Sequence, residues 1–284
     1  MDALTYDLVT LCKWRNEGSF ATRANRVSML KQMAQELKQA GYHLPSARSI
    51  KPKHVEFLIE TWQGQGLNPR TIKNRLGVLR WWADAVNKRS IMHRSNEGYG
   101  IDSPEKGERP DAIDLQSIDV RRVECPLVRA SLELEALFGL RREEAIKVRP
   151  ASAVQGDVLV LKSSWTKGGR PRSVPIISDD QRLLLGKIVA MVGANSLIPE
   201  DIQYVQHLGR YHYQLRKAGI SHAHRLRHGY AQRRYREMTG WEPPAKGGPT
   251  PTTPEQVRID REARLELSRE LGHNRISITK VYLG

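Results

Sequence analysis

The chain has 284 residues, enough for two compact domains or one large one with a well-buried core. Lysine and arginine outnumber aspartate and glutamate by 46 to 31, a formal charge of +15; this favours a polyanionic partner such as DNA, RNA or a membrane surface, although a basic surface also serves solubility. No run approaches the roughly 20 apolar residues of a membrane span, Met1-Asp2-Ala3-Leu4 does not open a signal peptide, and Cys12 and Cys125 lack the paired spacing of a disulfide framework or cysteine zinc site, so a soluble, cytoplasmic protein is expected.

Over residues 23–40, Val27, Leu30, Ala34 and Leu37 recur at three- and four-residue steps, the repeat of one helical face. Val55, Leu58, Ile59 and Trp62 repeat it in a helix predicted to begin near Lys51-Pro52, because proline is tolerated in a first turn. Asn68-Pro69 reads as an N-cap followed by a first-turn proline, and Ile72, Leu76, Leu79 and Val86 give a third stripe. Residues 1 to about 90 are thus predicted to form a small helical bundle. Up to residue 95 they hold sixteen basic and seven acidic side chains, so most of the excess charge lies in the first third. On the third helix Arg70, Lys73, Arg75 and Arg80 occupy polar positions, from which a helix presents them to phosphates or merely to solvent. From Ser90 to about Asp111 the periodicity lapses, and Asn96, Gly98, Gly100, Pro104, Gly107 and Pro110 predict a flexible connection.

The second part opens with helical pattern through Leu137. Residues 157–161 and 173–176 then read as short strands, and Lys167-Gly168-Gly169-Arg170 between them supplies turn glycines, predicting a hairpin with a basic tip. Helices are expected at 179–192, 203–218, 224–238 and 257–271. Between the last two, residues 239–254 contain five prolines and three glycines and are predicted to be an exposed loop rather than core. The expected fold is mainly α with a small β-hairpin or sheet (α+β), with domains at 1–92 and 112–284 and a linker at 93–111.

Taken singly, the polar candidates carry little. Arg141 reads as a charge at a helix start, Lys167 as a solvated turn lysine, His224 and Arg227 as neighbours on one helical face, His273 as a helix end, and Tyr282 as packing for the tail. His222, His224 and His228 are close in sequence, but no carboxylate or cysteine completes a familiar metal-ligand spacing and two neighbouring arginines would repel a cation.

Taken together they form four boxes in one order: Gly139-Leu140-Arg141-Arg142-Glu143-Glu144; Lys167 followed by Arg172 and Val174-Pro175; His224-Arg225-Leu226-Arg227-His228; and Leu271-Gly272-His273 with Tyr282 nine residues later. This series resembles the tyrosine recombinase (phage integrase) family strongly over residues 111 to 284. The first domain resembles the family's core-type DNA-binding domain by pattern and charge alone.

The resemblance implies a catalytic set of Arg141, Lys167, His224, Arg227, His273 and Tyr282, with Glu144 supporting it, and DNA contacts from Arg70, Lys73, Arg75, Arg80, Arg170 and Arg172. The chemistry explains the residue types. A phosphodiester under attack gains negative charge on its nonbridging oxygens, which preorganised guanidinium groups stabilise. Histidines donate hydrogen bonds or move protons near neutral pH. A free tyrosine has a pKa of about 10, so nearby cations are needed to favour its nucleophilic form. The implied product is a 3′-phosphotyrosyl enzyme and a 5′-hydroxyl whose oxygen Lys167 protonates. Because the ester retains the bond energy, neither ATP, a metal ion nor another cofactor is required.

The implied partners are double-stranded DNA, a homotetramer on two duplexes and an accessory DNA-bending or directionality protein. The sequence leaves open type IB topoisomerase-like relaxation and a non-catalytic DNA-binding regulator. The 48 residues between His224 and His273 exceed the usual family spacing, the surplus being the proline- and glycine-rich loop, expected to be a tolerated surface insertion. With Gly284 following so soon after Tyr282, subunit communication is expected to use a surface other than a C-terminal helix, and no arm-binding domain is expected before Met1.

Overall fold

In the computed structural model of the protein, which describes residues 1–101, 112–273 and 275–284, helix starts follow the capping chemistry of the sequence. Asp2 accepts the Thr5 N–H (2.9 Å) and opens α1 (Ala3–Trp14); Ser19 accepts that of Thr22 (3.2 Å) and opens α2 (Phe20–Gln39). The third helix, α3 (Pro52–Gly64), and the fourth, α4 (Pro69–Ala85), both start on proline, where the missing N–H costs nothing. The chain divides into two units, Met1–Glu108 and Arg109–Gly284.

In the first unit the apolar faces of these helices bury Leu8, Leu37, Leu58, Trp62, Leu76 and Trp82 together. Truncating one such leucine to alanine costs about 2–5 kcal/mol. Helix α1 was not anticipated, although Leu4, Leu8 and Cys12 recur at four-residue steps and all three are buried. The flexible connection expected from Ser90 is corrected as far as Ile101: Met92 and Ile101 are buried in this core, reached through short 3-10 turns at Arg89–Ile91 and Glu97–Tyr99. Such turns have no 3.6-residue repeat, so periodicity could not reveal them. Residues 102–111 of that expected connection lie outside the described residues.

The second unit is built on α5 (Pro126–Phe138), followed by α6 (Arg142–Lys147), α7 (Pro150–Ala153) and an antiparallel sheet of order β1-β2-β3: β1 (Val154–Gln155), β2 (Val158–Leu161) and β3 (Arg172–Pro175). Leu159 pairs with Val174 and Leu161 with Arg172 across β2 and β3. The two-residue β1 was not foreseen. Then come α8 (Asp179–Val192), α9 (Tyr204–Lys217), α10 (Arg225–Thr239), α11 (Pro254–Glu270) and the short α12 (Lys280–Leu283). Phe138, Leu159, Val174, Tyr235, Leu267 and Leu283 share one core between α5, the sheet, α10 and the last helices. The mainly helical chain with one small sheet agrees with the expected fold class.

The loop at 239–254 is largely exposed, as expected, but part of it packs inward. Trp241 packs against the core and donates its Nε1–H to the Tyr235 hydroxyl (3.2 Å), Pro243 is buried, and the 3-10 turn Pro244–Lys246 lies against α12. An added Cβ on Gly248 would lie 1.6 Å from the Glu242 carbonyl oxygen. Pro243 and Gly248 thus serve a packed turn within an otherwise exposed loop. Among the described residues no helix is long and apolar enough to cross a membrane.

Candidate active site

The site begins where α5 ends. Gly139 stands in the left-handed region (φ 59°), and a Cβ there would meet the Tyr230 ring at 2.4 Å, so glycine is required by both backbone and space. The turn lets Leu140 enter the core and places Arg141 as the N-cap of α6. Glu144, fully buried one turn later, reaches back to accept the Arg141 N–H (2.7 Å) and Nη1 (2.8 Å).

The same carboxylate accepts Arg172 Nη1 (2.6 Å) and Nη2 (2.8 Å), two parallel bonds from a side chain arriving on β3. Burial alone would raise the Glu144 pKa, but the hydrogen bonds and charge of Arg172, with the charge of Arg141, outweigh it and hold the carboxyl down at about 2. Arg172 Nε donates to the Glu270 carbonyl (2.7 Å). Its path crosses Gly272, where a Cβ would lie 2.8 Å from Arg172 Cδ, which gives a packing reason for the glycine of Leu271-Gly272-His273.

Arg227, in the first turn of α10, has no solvent exposure. It donates through Nη1 to the Gly139 carbonyl and through Nη2 to the Leu271 carbonyl, and its Nε reaches the Tyr282 hydroxyl (3.3 Å). Arg141 Nη2 donates to the same Leu271 carbonyl (3.2 Å), so the two guanidinium groups converge on one oxygen. His273 Nε2 lies 3.0 Å from the Tyr282 hydroxyl and 3.5 Å from Arg227 Nη2. Burial and then the charges of Arg227, Arg141 and Arg172 push the His273 pKa down to about 4. Burial lowers Arg227 to about 10, opposed by Tyr282.

The phenol ring of Tyr282 is 5% exposed and packs on His228 (ring centroids 4.7 Å) as well as His273 (5.7 Å). Gln232 Nε2 holds the Tyr282 carbonyl (3.0 Å), and Tyr230 and Arg234 of α10 both bind Glu270 just before Leu271 (2.7 and 3.0 Å). The backbone around both Leu271 and Tyr282 is thereby tied to α10. Beside this cluster lies a cavity of about 740 Å³ walled by Arg141, Glu144, Lys167 and His224 among others. Lys167 is exposed on the hairpin, before two glycines with positive φ, and His224 is exposed at the start of α10, its pKa lowered by burial of the ring and by Arg227 and Arg141.

Family models match most of the chain: the N-terminal domain of phage integrases over residues 1–91, and an integrase domain over residues 104–233. The chain belongs to the tyrosine recombinase family. The integrase match includes Arg141, Lys167, His224 and Arg227 but ends before His273 and Tyr282, which are joined to the others by geometry. The tyrosine recombinase XerC of Neisseria meningitidis serogroup B (strain ATCC BAA-335 / MC58) is 25% identical over 161 residues, 53% of each chain, so the chain spans about half the length of the curated relative it matches. Among solved structures, a XerH recombinase bound to a palindromic difH substrate aligns with TM-score 0.62 at 15% identity, covering 98% of this chain and 80% of that one. A lambda integrase dimer bound to a COC′ core site gives 0.65 at 13%, covering 98% and 77%. The Tn1549 transposon integrase in complex with circular intermediate DNA gives 0.61 at 13%, covering 100% and 96%. At these identities the likeness is one of fold.

Not every residue expected to act on DNA is free to do so. Arg172 is corrected from a DNA contact to an internal brace, since its side chain is 5% exposed and its donors are committed to Glu144 and Glu270. Arg75 is likewise corrected: its guanidinium lies 5.0 Å from the Trp62 ring centroid and 3.4 Å from Glu36, which also accepts the Trp62 N–H. Arg70 and Arg170 are exposed, and Lys73 and Arg80 are half-buried. Sequence reasoning missed Glu135, buried on α5 at the cavity wall, where it accepts the Tyr211 hydroxyl (2.7 Å) and burial pushes its pKa up to about 8. Its one signal was a carboxylate flanked directly by Leu134 and Ala136, both buried.

Proposed function

We propose that this protein is a site-specific recombinase that cuts and rejoins double-stranded DNA through a covalent bond to Tyr282, in the integration or excision of a mobile element. One observation carries the reading: the Tyr282 hydroxyl lies within hydrogen-bond reach of both Arg227 and His273, while Arg227 and Arg141 aim at a single point. That point is the Leu271 carbonyl, and Arg227 is buried against it in the DNA-free protein; a phosphodiester that displaces this carbonyl meets two guanidinium forks, which favour the charge that develops on its nonbridging oxygens.

In this mechanism the Tyr282 oxygen attacks phosphorus, its proton passing to His273 Nε2. The bond to the 5′-oxygen breaks as Lys167 donates a proton to it, leaving a 3′-phosphotyrosyl ester and a free 5′-hydroxyl. A 5′-hydroxyl from a second duplex reverses the step and joins new partners. The low pKa of His273 belongs to the DNA-free protein, and the phosphate's negative charge raises it toward the range of a useful base. Glu144 orients Arg141 and does not react. Arg70 and Arg170, both exposed, grip flanking phosphates, with Lys73 and Arg80 beside Arg70. Four copies on two duplexes, an accessory directionality protein and a cytoplasmic place of action complete the proposal, supported by family membership.

The test is a nicked suicide substrate, from which the 5′-hydroxyl diffuses away. The full chain should form an SDS-resistant protein–DNA adduct that Tyr282→Phe abolishes while still binding DNA. Binding without any adduct from the unaltered protein on its own site would leave only a DNA-binding protein; relaxation of any supercoiled plasmid without joined recombinants would point to topoisomerase activity instead.

A further inference from the structure

The cavity beside the two guanidinium groups is larger than one phosphate needs. At about 740 Å³ it has the size of pockets that enclose whole drug-sized ligands. One of its walls, formed by α6, α9 and the turn before α10, carries Arg142, His212, Arg216 and His222. None of these four is used by the cleavage chemistry above.

The charge on that wall is not cancelled from within. Of the carboxylates lining the cavity, Glu144 is committed to Arg141 and Arg172, Glu143 is turned to Lys147, and Glu135 is buried against the Tyr211 hydroxyl. Arg142 is half-buried; its Nη1 lies 3.2 Å from His212 Nε2, and its Nε is buried without a hydrogen-bond partner among the described residues. Such a donor is left short of the acceptors a guanidinium normally finds. His212, Arg216 and His222 are exposed around it, and His222 is held in the left-handed region (φ 58°), uncommon for a residue with a side chain.

We infer that Arg142, with His212, Arg216 and His222, forms a second phosphate subsite that binds a DNA backbone phosphate neighbouring the scissile one. Successive phosphates on one strand advance about 3.4 Å along the duplex axis, so a strand that seats one phosphate at Arg141 and Arg227 carries its neighbours along the same cavity. The subsite thus fixes the strand's direction and register without reading bases. Burial, and then the charges of Arg142 and Arg216, lower the pKa of His212, and an arriving phosphate opposes the effect of those two charges.

This inference rests on the proposed recombinase reading for its substrate but is tested by binding alone. A duplex is selected from a random pool by the full-length chain, then remade with a neutral methylphosphonate at each backbone position in turn. Affinity is measured by fluorescence anisotropy over a range of salt for the unaltered protein, Arg142→Gln and Arg142→Lys. The expected result is that one methylphosphonate position weakens the unaltered protein roughly tenfold, that Arg142→Gln is roughly tenfold weaker on unmodified DNA with a salt slope lower by about one, and that the two losses do not add at that position. Arg142→Lys keeps the charge and should retain most of the affinity. If Arg142→Gln does not fold, Arg216→Gln on the exposed side of the wall serves the same comparison. Losses that add at every position, or an unchanged salt slope, overturn the inference. Failure to form a covalent adduct would sink the recombinase reading without touching this result.

Discussion

Replacing Glu144 with glutamine removes a charge but almost no volume, and the structure allows its effect to be worked out. The carboxylate accepts four hydrogen bonds, two from Arg141 and two from Arg172. Lowering its pKa from 4.5 to about 2 corresponds, at about 1.4 kcal/mol per pH unit, to on the order of 3 kcal/mol of stability. The figure agrees with the roughly 3–5 kcal/mol lost when one partner of a buried ion pair is removed. For a unit of this size, about 2–4 °C per kcal/mol gives a fall in melting temperature on the order of 10 °C at pH 7, read by circular dichroism. Because the folded pKa is depressed, the contribution is complete above the unfolded value of 4.5 and is lost as pH falls through about 2. The gap between Glu144→Gln and the unaltered protein should therefore hold from pH 7 to about 4.5 and close toward pH 2. A gap under about 2 °C at pH 7, or one that persists in acid, would show that Glu144 is not the anion holding these arginines.

Proton uptake gives an independent check: His273, with a pKa of about 4, is neutral at pH 6 in the free protein, and the pKa of His224 is also lowered. A bound phosphate favours the imidazolium, so DNA binding should take up protons and tighten as pH falls toward 5.5; binding heats that are identical in buffers of different ionisation enthalpy would refute this. In the first unit, Arg70→Gln should lower the salt slope of DNA binding by about one, whereas Arg75→Gln should leave the slope alone and reduce stability by about 1 kcal/mol through loss of its contacts with Glu36 and Trp62. Arg227→Met should abolish the covalent adduct and lower the melting temperature by several degrees, because it leaves the buried Gly139 carbonyl without its donor and removes a donor from the Leu271 carbonyl; an unchanged melting temperature would count against those bonds.

Much of this was readable in the residues because each signal was local. Capping residues and apolar steps located α2, α3 and α4, and the turn glycines located the hairpin. The boxes around Arg141, Arg227 and His273 could be recognised because each is a short contiguous string, even though the need for two of their glycines, Gly139 against Tyr230 and Gly272 against Arg172, arises only on folding. What failed was nonlocal. Nothing in the sequence distinguishes an arginine whose fork meets a buried carboxylate from one that meets water, so Arg172 and Arg75 were read as DNA contacts. Packing of Trp241 and Pro243 beneath a proline-rich turn, and of Ile101 beyond the last helix of its unit, likewise depends on surfaces brought together by folding.

The charges around the Leu271 carbonyl fit the proposed reaction better than its starting point. Arg141 and Arg172 bind one ionised carboxylate, Glu144, and Arg227 lies within electrostatic reach of both arginines, so two positive charges remain uncancelled. A resting phosphodiester brings one negative charge, and the five-coordinate state brings a second. The site is therefore matched to the state at the top of the barrier, and interactions stronger there than in the ground state are those that accelerate the chemical step. Glu135 decides whether the match survives. It lies within electrostatic reach of Arg227 and Arg142, and if ionised it would cancel one of the two charges. Burial, opposed by the Tyr211 hydrogen bond and those arginines, pushes its pKa up to about 8, which keeps it mostly in its acid form at neutral pH. A carboxyl group that sequence patterning would assign to the wrong environment thus preserves the charge balance on which the proposed cleavage depends.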